Sequence, residues 1–168
     1  PEAILAVVKK LASHNLLKWA EEELSHPQLE QSDFSLAQKQ SAVKLGELLQ
    51  QASRAQRIIY LGGGHDHIYS CVMNLNQYSQ KVVIINIDAH LDTRTDHEAN
   101  SGTPFRQLDK DFHGELEIIQ LGIHEYANSI STMSNLDNAL EVVATYEDVR
   151  YGTNEFTENE KFLNRVIP

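Results

Sequence analysis

What the chain has little of narrows its nature first. It holds one cysteine, Cys71, so no internal disulfide can brace it, and a reducing compartment, the cytoplasm, is the simplest expectation. No apolar run approaches the about 18–20 residues that span a bilayer, and no secretory leader is visible. Positive charge is scarce: 14 Lys and Arg stand against 24 Asp and Glu, for a formal net charge of −10. That balance argues against nucleic acid as a partner, because phosphate contacts need a basic surface. The chain opens on Pro1 rather than methionine, so a processed or excised segment is expected. There is no internal repeat, no low-complexity tract and no sign of a second domain. What is present, 168 residues with eight histidines, is enough for one domain with a core.

Hydrophobic periodicity organises that domain. Residues 2–24 read as helix, with a break near Ser13-His14-Asn15, and Pro27 ends the region. Ser35 and Gln38 have the spacing of a capping box. Leu45, Leu48, Leu49 and Ala52 then share a helical face that runs to about Gln56. Arg57–Leu61 is short, apolar and β-branched, and reads as a buried strand closed by Gly62-Gly63-Gly64. Ile68, Cys71, Val72 and Leu75 mark another helix. Lys81–Ile87 (KVVIINI) is the strongest strand signal, and its near-continuous apolarity suits a parallel strand covered on both faces. Residues 91–103 read as a loop, Glu115–Leu121 as a strand stopped by Gly122, Asn128–Leu136 as helix and Leu140–Ala144 as a strand. Thr157 and Glu160 have the spacing to cap a last helix bearing Phe162, Leu163, Val166 and Ile167. Strands alternating with helices predict an α/β fold with a parallel sheet. The expected organisation is one domain over residues 1–168: a helical lead-in over 1–56, a motif-bearing core over 57–150 and a C-terminal helix over 151–168.

The chemistry gathers at two strand ends. Asp88-Ala89-His90-Leu91-Asp92 follows the strongest strand directly. Side chains two apart on a strand share a face, so Asp88 and His90 point together and Asp92 can fold back. In open parallel sheets ligands collect at the carboxyl ends of the strands. His65 stands at another such end, after glycines that permit a tight turn. If the two strands are neighbours, His65, Asp88, His90 and Asp92 converge. Two imidazoles and two carboxylates suit Mn²⁺, Zn²⁺ or Fe²⁺ better than Mg²⁺ or Ca²⁺. The competing reading is that the histidine is a turn residue and the aspartates close turns. A dinucleotide-binding turn is excluded, because the pattern needs a glycine where His67 stands. His67, Asp96, His97, Glu98, His113, His124 and Glu125 read as solvated or helix-end positions.

Gly62-Gly63-Gly64-His65 followed by Asn86-Ile87-Asp88-Ala89-His90-Leu91-Asp92 resembles the arginase, agmatinase and formimidoylglutamase family in order, spacing and strand context, from about Arg57 to Val149. The resemblance implies a three-layer α/β/α arginase-like fold and a pair of Mn²⁺ ions. His65 and Asp92 would hold one ion and His90 the other, with Asp88 as a bridge, and a metal-activated hydroxide would attack an amidine or guanidino carbon. Ser101-Gly102-Thr103-Pro104-Phe105-Arg106-Gln107 and Asp92-Thr93-Arg94 look like the formimidoylglutamase branch, where the implied reaction converts N-formimidoyl-L-glutamate and water to L-glutamate and formamide in histidine breakdown. That substrate carries two carboxylates, which an arginine fork fits. Arg94 or Arg106 is the candidate to bind one of them, assisted by Ser101 and Thr103; the alternative is that each arginine pairs with a surface acid.

The resemblance is incomplete. The family also uses a later Asp-x-Asp pair, and Ser134-Asn135-Leu136-Asp137-Asn138 does not supply it. A segment of a longer protein is therefore expected, with at most a partial Mn²⁺ site, no measurable turnover by itself, and a sheet edge open to self-association as a homo-oligomer. The alternatives are an agmatinase- or arginase-type guanidino hydrolase, and a non-catalytic module kept for metal binding or assembly. A reading frame that continues into an Asp-x-Asp strand would favour the enzyme; a stop codon after Pro168 would favour the module.

Overall fold

A computed structural model describes residues 34–51, 58–61, 63–75, 79–129, 132 and 136–152, with isolated helical positions between 3 and 10. The β-branched run Lys81–Ile87 forms the first strand, β1. Glu115–Ile123 forms β2 and Leu140–Thr145 forms β3. They make a parallel sheet in the order β1-β2-β3, with Ile84 opposite Ile118 and Ile119 opposite Val142. The expected α/β class with a parallel sheet is therefore observed.

The helices are α1 (Phe34–Gln51), α2 (His67–Leu75), α3 (Pro104–Asp111) and α4 (Tyr146–Tyr151), with a 3₁₀ turn at Glu125–Ala127. α1 packs on α2 and α2 on α3, while α4 lies against β2 and β3. Among the described residues no helix is long and apolar enough to cross a membrane. The main core joins Val72 of α2, Ile84 of β1, Phe105 and Leu108 of α3, and Leu116 and Ile118 of β2. Phe105 and Leu108 are fully buried, each contributing about 1.5–3 kcal/mol by leaving water. Their spacing of three places both on one face of α3.

Several expectations are corrected. Ile58–Leu61 is not a strand: Ile58 and Ile59 are exposed, and no described residue pairs with them. An apolar run becomes a strand only where a neighbour completes its hydrogen-bond ladder. β1 is not covered on both faces, since Ile84 and Asn86 are buried whereas Ile85 and Ile87 are exposed. Gly122 does not stop β2; at φ +82° it allows a register shift between Leu121 and Ile123, and the strand continues.

Ser35 lies inside α1, which is already helical at Phe34, so Ser35 and Gln38 do not cap it. None of the described residues of Asn128–Leu136 is helical: Asn128 is a bend, Thr132 a turn, and Ser129 and Leu136 are irregular. Just beyond that segment, buried Asp109 holds the chain: its carboxylate accepts from the amides of Asp137, Asn138 and Ala139 at 2.7–2.9 Å. Pro104 opens α3 at a position where its missing N–H costs nothing. α4 carries a capping box between Thr145 and Asp148 and ends at Gly152 in the left-handed conformation. The expected helices over 2–24 and after Thr157 lie largely or wholly outside the described residues.

Candidate metal centre

β1 ends at Ile87, and the Asp88 amide continues the ladder by donating to the Leu121 carbonyl. Asp88 is half-buried at the carboxyl end of the sheet. The His90 backbone N–H donates to Asp88 Oδ1 at 2.9 Å, and the His90 ring Nδ1 lies 3.1 Å from the same oxygen. The two side chains do meet, but through a turn beyond the end of β1 in which Asp88 accepts from the amide two residues on, not through the alternation of a strand. Asp88 Oδ2 faces His65 Nδ1 at 3.5 Å. His65 Nδ1 is also 2.6 Å from Asp92 Oδ2.

His65 reaches this point from a turn rather than from a strand end. Gly63 adopts φ +79°, and α2 opens directly behind, with the His67 and Ile68 amides donating to the Gly64 and His65 carbonyls. The His65 ring packs perpendicular to buried Phe105, with ring centroids 5.8 Å apart at 89°. Asp92 is in the left-handed region at φ +51°, sparsely populated by residues other than glycine. Its carbonyl accepts from the Phe105 amide at 3.2 Å, which ties the loop to the start of α3.

The electrostatics follow from this packing. The Asp92 hydrogen bond raises the His65 pKa, against burial, with help from the charges of Asp92 and Asp88. Burial pushes the Asp88 carboxyl up, but the His90 N–H, the His90 ring and the charge of His65 outweigh it, and the net shift is downward. Asp88 is thus held as an anion beside two histidines.

Ligand atoms of His65, Asp88 and Asp92 all lie within 4.8 Å of one another. Ligand atoms around a small divalent cation sit about 3 Å apart, since each bond is about 2.0–2.2 Å long. One imidazole nitrogen with two carboxylate oxygens therefore fits such an ion in donor type and spacing. His90 stands on the far side of Asp88, with its side chain 56% exposed.

The candidate substrate residues occupy the neighbouring loop. A cleft of about 360 Å³ is lined by His90, Asp92, Arg94, Asp96, Asn128 and Ser129, among others. A second, of about 440 Å³, is lined by Arg94, Thr103 and Arg106. Arg94 borders both; its side chain lies over Gly102, where a Cβ would come within 2.8 Å of it. Arg106 Nε donates to the Thr93 carbonyl at 3.3 Å. Thr103 is buried, and its hydroxyl is engaged inside the loop by Asn100 and Gln107. Ser101 is exposed in the adjoining turn.

Three residues near the metal centre escaped the sequence reading. Phe105 was noticed only as part of a motif, yet it supports His65. Gln120 and Asn128 reach the Asp88–Asp92 segment from β2 and the turn beyond it. Gln120 left a signal: a polar residue inside an apolar strand demands a buried partner. Asn128 left none. His67 bonds Tyr60, and His124 packs between Tyr126 and Tyr146.

Known proteins give this geometry its context. A formimidoylglutamase of Hahella chejuensis is 32% identical over 158 residues, covering 83% of this chain and 44% of that protein. A formimidoylglutamase of Staphylococcus aureus strain MW2 is 40% identical over 89 residues, covering 51% of this chain and 27% of its own length. Among solved structures, formimidoylglutamase of Bacillus subtilis superposes with a TM-score of 0.63 at 25% identity, covering 83% of this chain and 43% of the other. The chain spans less than half the length of these relatives. A model of the arginase family matches residues 1–165. This chain belongs to the arginase family.

Proposed function

We propose that this chain carries part of the metal centre of a formimidoylglutamase, a hydrolase that converts N-formimidoyl-L-glutamate and water to L-glutamate and formamide. The observation that carries the reading is the Asp88 carboxylate, with one oxygen toward His65 and the other toward His90. Asp88, His65 and Asp92 would hold a divalent cation here, and His90, on the other oxygen of Asp88, would add a further ligand. Imidazole with carboxylate is a donor set that manganese accepts, and Mn²⁺ is the ion proposed. A bound divalent cation supplies a nucleophile near neutral pH by acidifying water.

This chain's own residues do the rest. Asp88 and Asp92 bring negative charge to balance a cation. Arg94, on the wall shared by the two clefts, is placed to hold a substrate carboxylate beside the metal centre. Arg106 and Ser101 are farther candidates for the same task, and Thr103 shapes the loop that carries them. In the reaction, water adds to the formimidoyl carbon and the bond from that carbon to the α-nitrogen breaks. The nitrogen leaves protonated as the amine of glutamate, and the carbon leaves as formamide. The choice of substrate within the family rests on the SGTPFRQ segment and on the named relatives.

The test is a substrate panel on the full-length protein loaded with Mn²⁺. Release of formamide and glutamate from N-formimidoyl-L-glutamate, with far slower turnover of agmatine and arginine, is the expected result. Preference for either guanidine would reassign the substrate, and no turnover of any of them would remove the enzymatic reading.

A further inference from the structure

Leu91 lies between two of the proposed ligands, and both of its peptide groups are held by side chains from outside the loop. Its N–H donates to Asn128 Oδ1 at 2.9 Å, and its carbonyl accepts from Gln120 Nε2 at 2.9 Å. Both Asn128 Nδ2 hydrogens are also committed: one goes to the Ala89 carbonyl at 2.9 Å and one to the His124 carbonyl at 2.8 Å. Gln120 is fully buried; its Oε1 accepts from Asn86 Nδ2 at 2.8 Å, and its Nε2 also donates to Glu141 at 3.1 Å. The Leu91 side chain is buried beneath.

We infer that Asn128 and Gln120 are positioning residues for the metal centre, clamping the Leu91 peptide so that His90 and Asp92 are held in place for a cation. The inference rests on the metal-site reading above. Three observations converge on it. The clamped groups belong to the peptides on either side of Leu91, one joined to His90 and the other to Asp92, so rotation of either would move the ligand beside it. Asp92 sits at φ +51°, a conformation that persists only where its surroundings over-determine it. The clamp also comes from two places, β2 and the turn after it, so the loop is tied to the sheet rather than to itself. A ligand loop fixed beforehand spends little binding free energy on being ordered.

The test uses the full-length protein, Mn²⁺ as the probe, and two readouts: Mn²⁺ affinity by calorimetric titration, and hydrogen exchange at the Leu91 amide without metal. Asn128→Ala should weaken Mn²⁺ binding about 10- to 100-fold, the usual cost of losing a partner that orients a ligand. The Leu91 amide should exchange faster, while the melting temperature without metal falls by a few degrees at most. Asn128→Asp keeps the volume and the acceptor but loses both donated bonds; it is the variant to use if Asn128→Ala does not fold, and it should weaken binding in the same direction. A folded variant with faster exchange at Leu91 and unchanged Mn²⁺ affinity would overturn the inference alone. Failure of the unsubstituted protein to bind Mn²⁺ would overturn the metal-site reading and this inference with it.

Discussion

His65 Nδ1 meets Asp92 Oδ2 at 2.6 Å across 27 positions of sequence, joining the turn before α2 to the loop after β1. Each residue is held from behind, His65 by the Phe105 ring and Asp92 by the Phe105 amide. The pair is therefore set by the fold rather than by its own attraction, and it should act as one half of a cation site. His65→Ala and Asp92→Ala should each weaken Mn²⁺ binding by more than the about 10- to 100-fold that loss of an orienting partner costs. Circular dichroism should stay native, because both side chains border solvent. Unchanged Mn²⁺ titrations in both variants would remove these residues from the site.

Phe105 makes the connection between core and site explicit. Its ring is fully buried in the cluster of Val72, Ile84 and Ile118, and it packs perpendicular to the His65 ring. Phe105→Ala should cost about 3–5 kcal/mol in urea unfolding, as large core truncations do. Phe105→Leu should cost less, since most of the volume is kept. A loss below about 1 kcal/mol for the alanine variant would mean the core closes over the gap without strain.

Arg94 and Arg106 are distinguished by their surroundings. Arg94 borders the cleft that contains His90 and Asp92, and Arg106 borders only the second cleft. Arg106 also donates to the Thr93 backbone, a structural duty. Arg94→Ala should therefore raise KM for N-formimidoyl-L-glutamate more than Arg106→Ala does. A lost hydrogen bond to a charged group is worth about 1.5–3 kcal/mol, which corresponds to a roughly 10- to 150-fold rise. Equal KM values for the Arg94 variant and the unsubstituted protein would exclude the carboxylate role.

How much of this was legible depended on whether local pattern or distant contact decided the outcome. Lys81–Ile87 was readable because five of its seven residues are β-branched, whereas the Asp88–His90 contact arises from a turn beyond the strand rather than from the two-residue strand period. Leu140–Ala144 was readable too, short by one residue. Arg57–Leu61 has the same local character, yet Ile58–Leu61 has no described ladder partner, and sequence pattern carries no information about partners. Helix α3 was missed because its buried face, Pro104, Phe105, Leu108 and Asp109, holds only two large apolar side chains over eight residues, too few to establish a period. The region after Asn128 was misread because its described residues are held by a distant loop: Asn128 bonds the Leu91 amide, and the Thr132 carbonyl accepts from the Thr93 hydroxyl. For the metal centre, the loop's own residues were visible and its supports were not: Phe105, Gln120 and Asn128 act through contacts that only the folded chain creates.

Glu141 gives the fold a pH dependence of known sign. It stands on β3 beside Gln120, with the charges of Arg106 and Asp109 nearby. Burial raises its carboxyl pKa; the Gln120 hydrogen bond and Arg106 pull it down, Asp109 pushes it up, and the net shift is upward. A raised carboxyl binds its proton more tightly in the folded chain than in the unfolded one. Its contribution to stability is therefore complete below the ordinary glutamate value and is lost as pH rises through the folded value. Glu141→Gln keeps an acceptor for Gln120 and removes the charge. Its melting temperature, measured against the unsubstituted protein from about pH 4 to about pH 8, should improve as pH rises above the ordinary glutamate value and level off once Glu141 is ionised in the fold. A difference between the two proteins that stays constant over that range would show that Glu141 carries no such linkage.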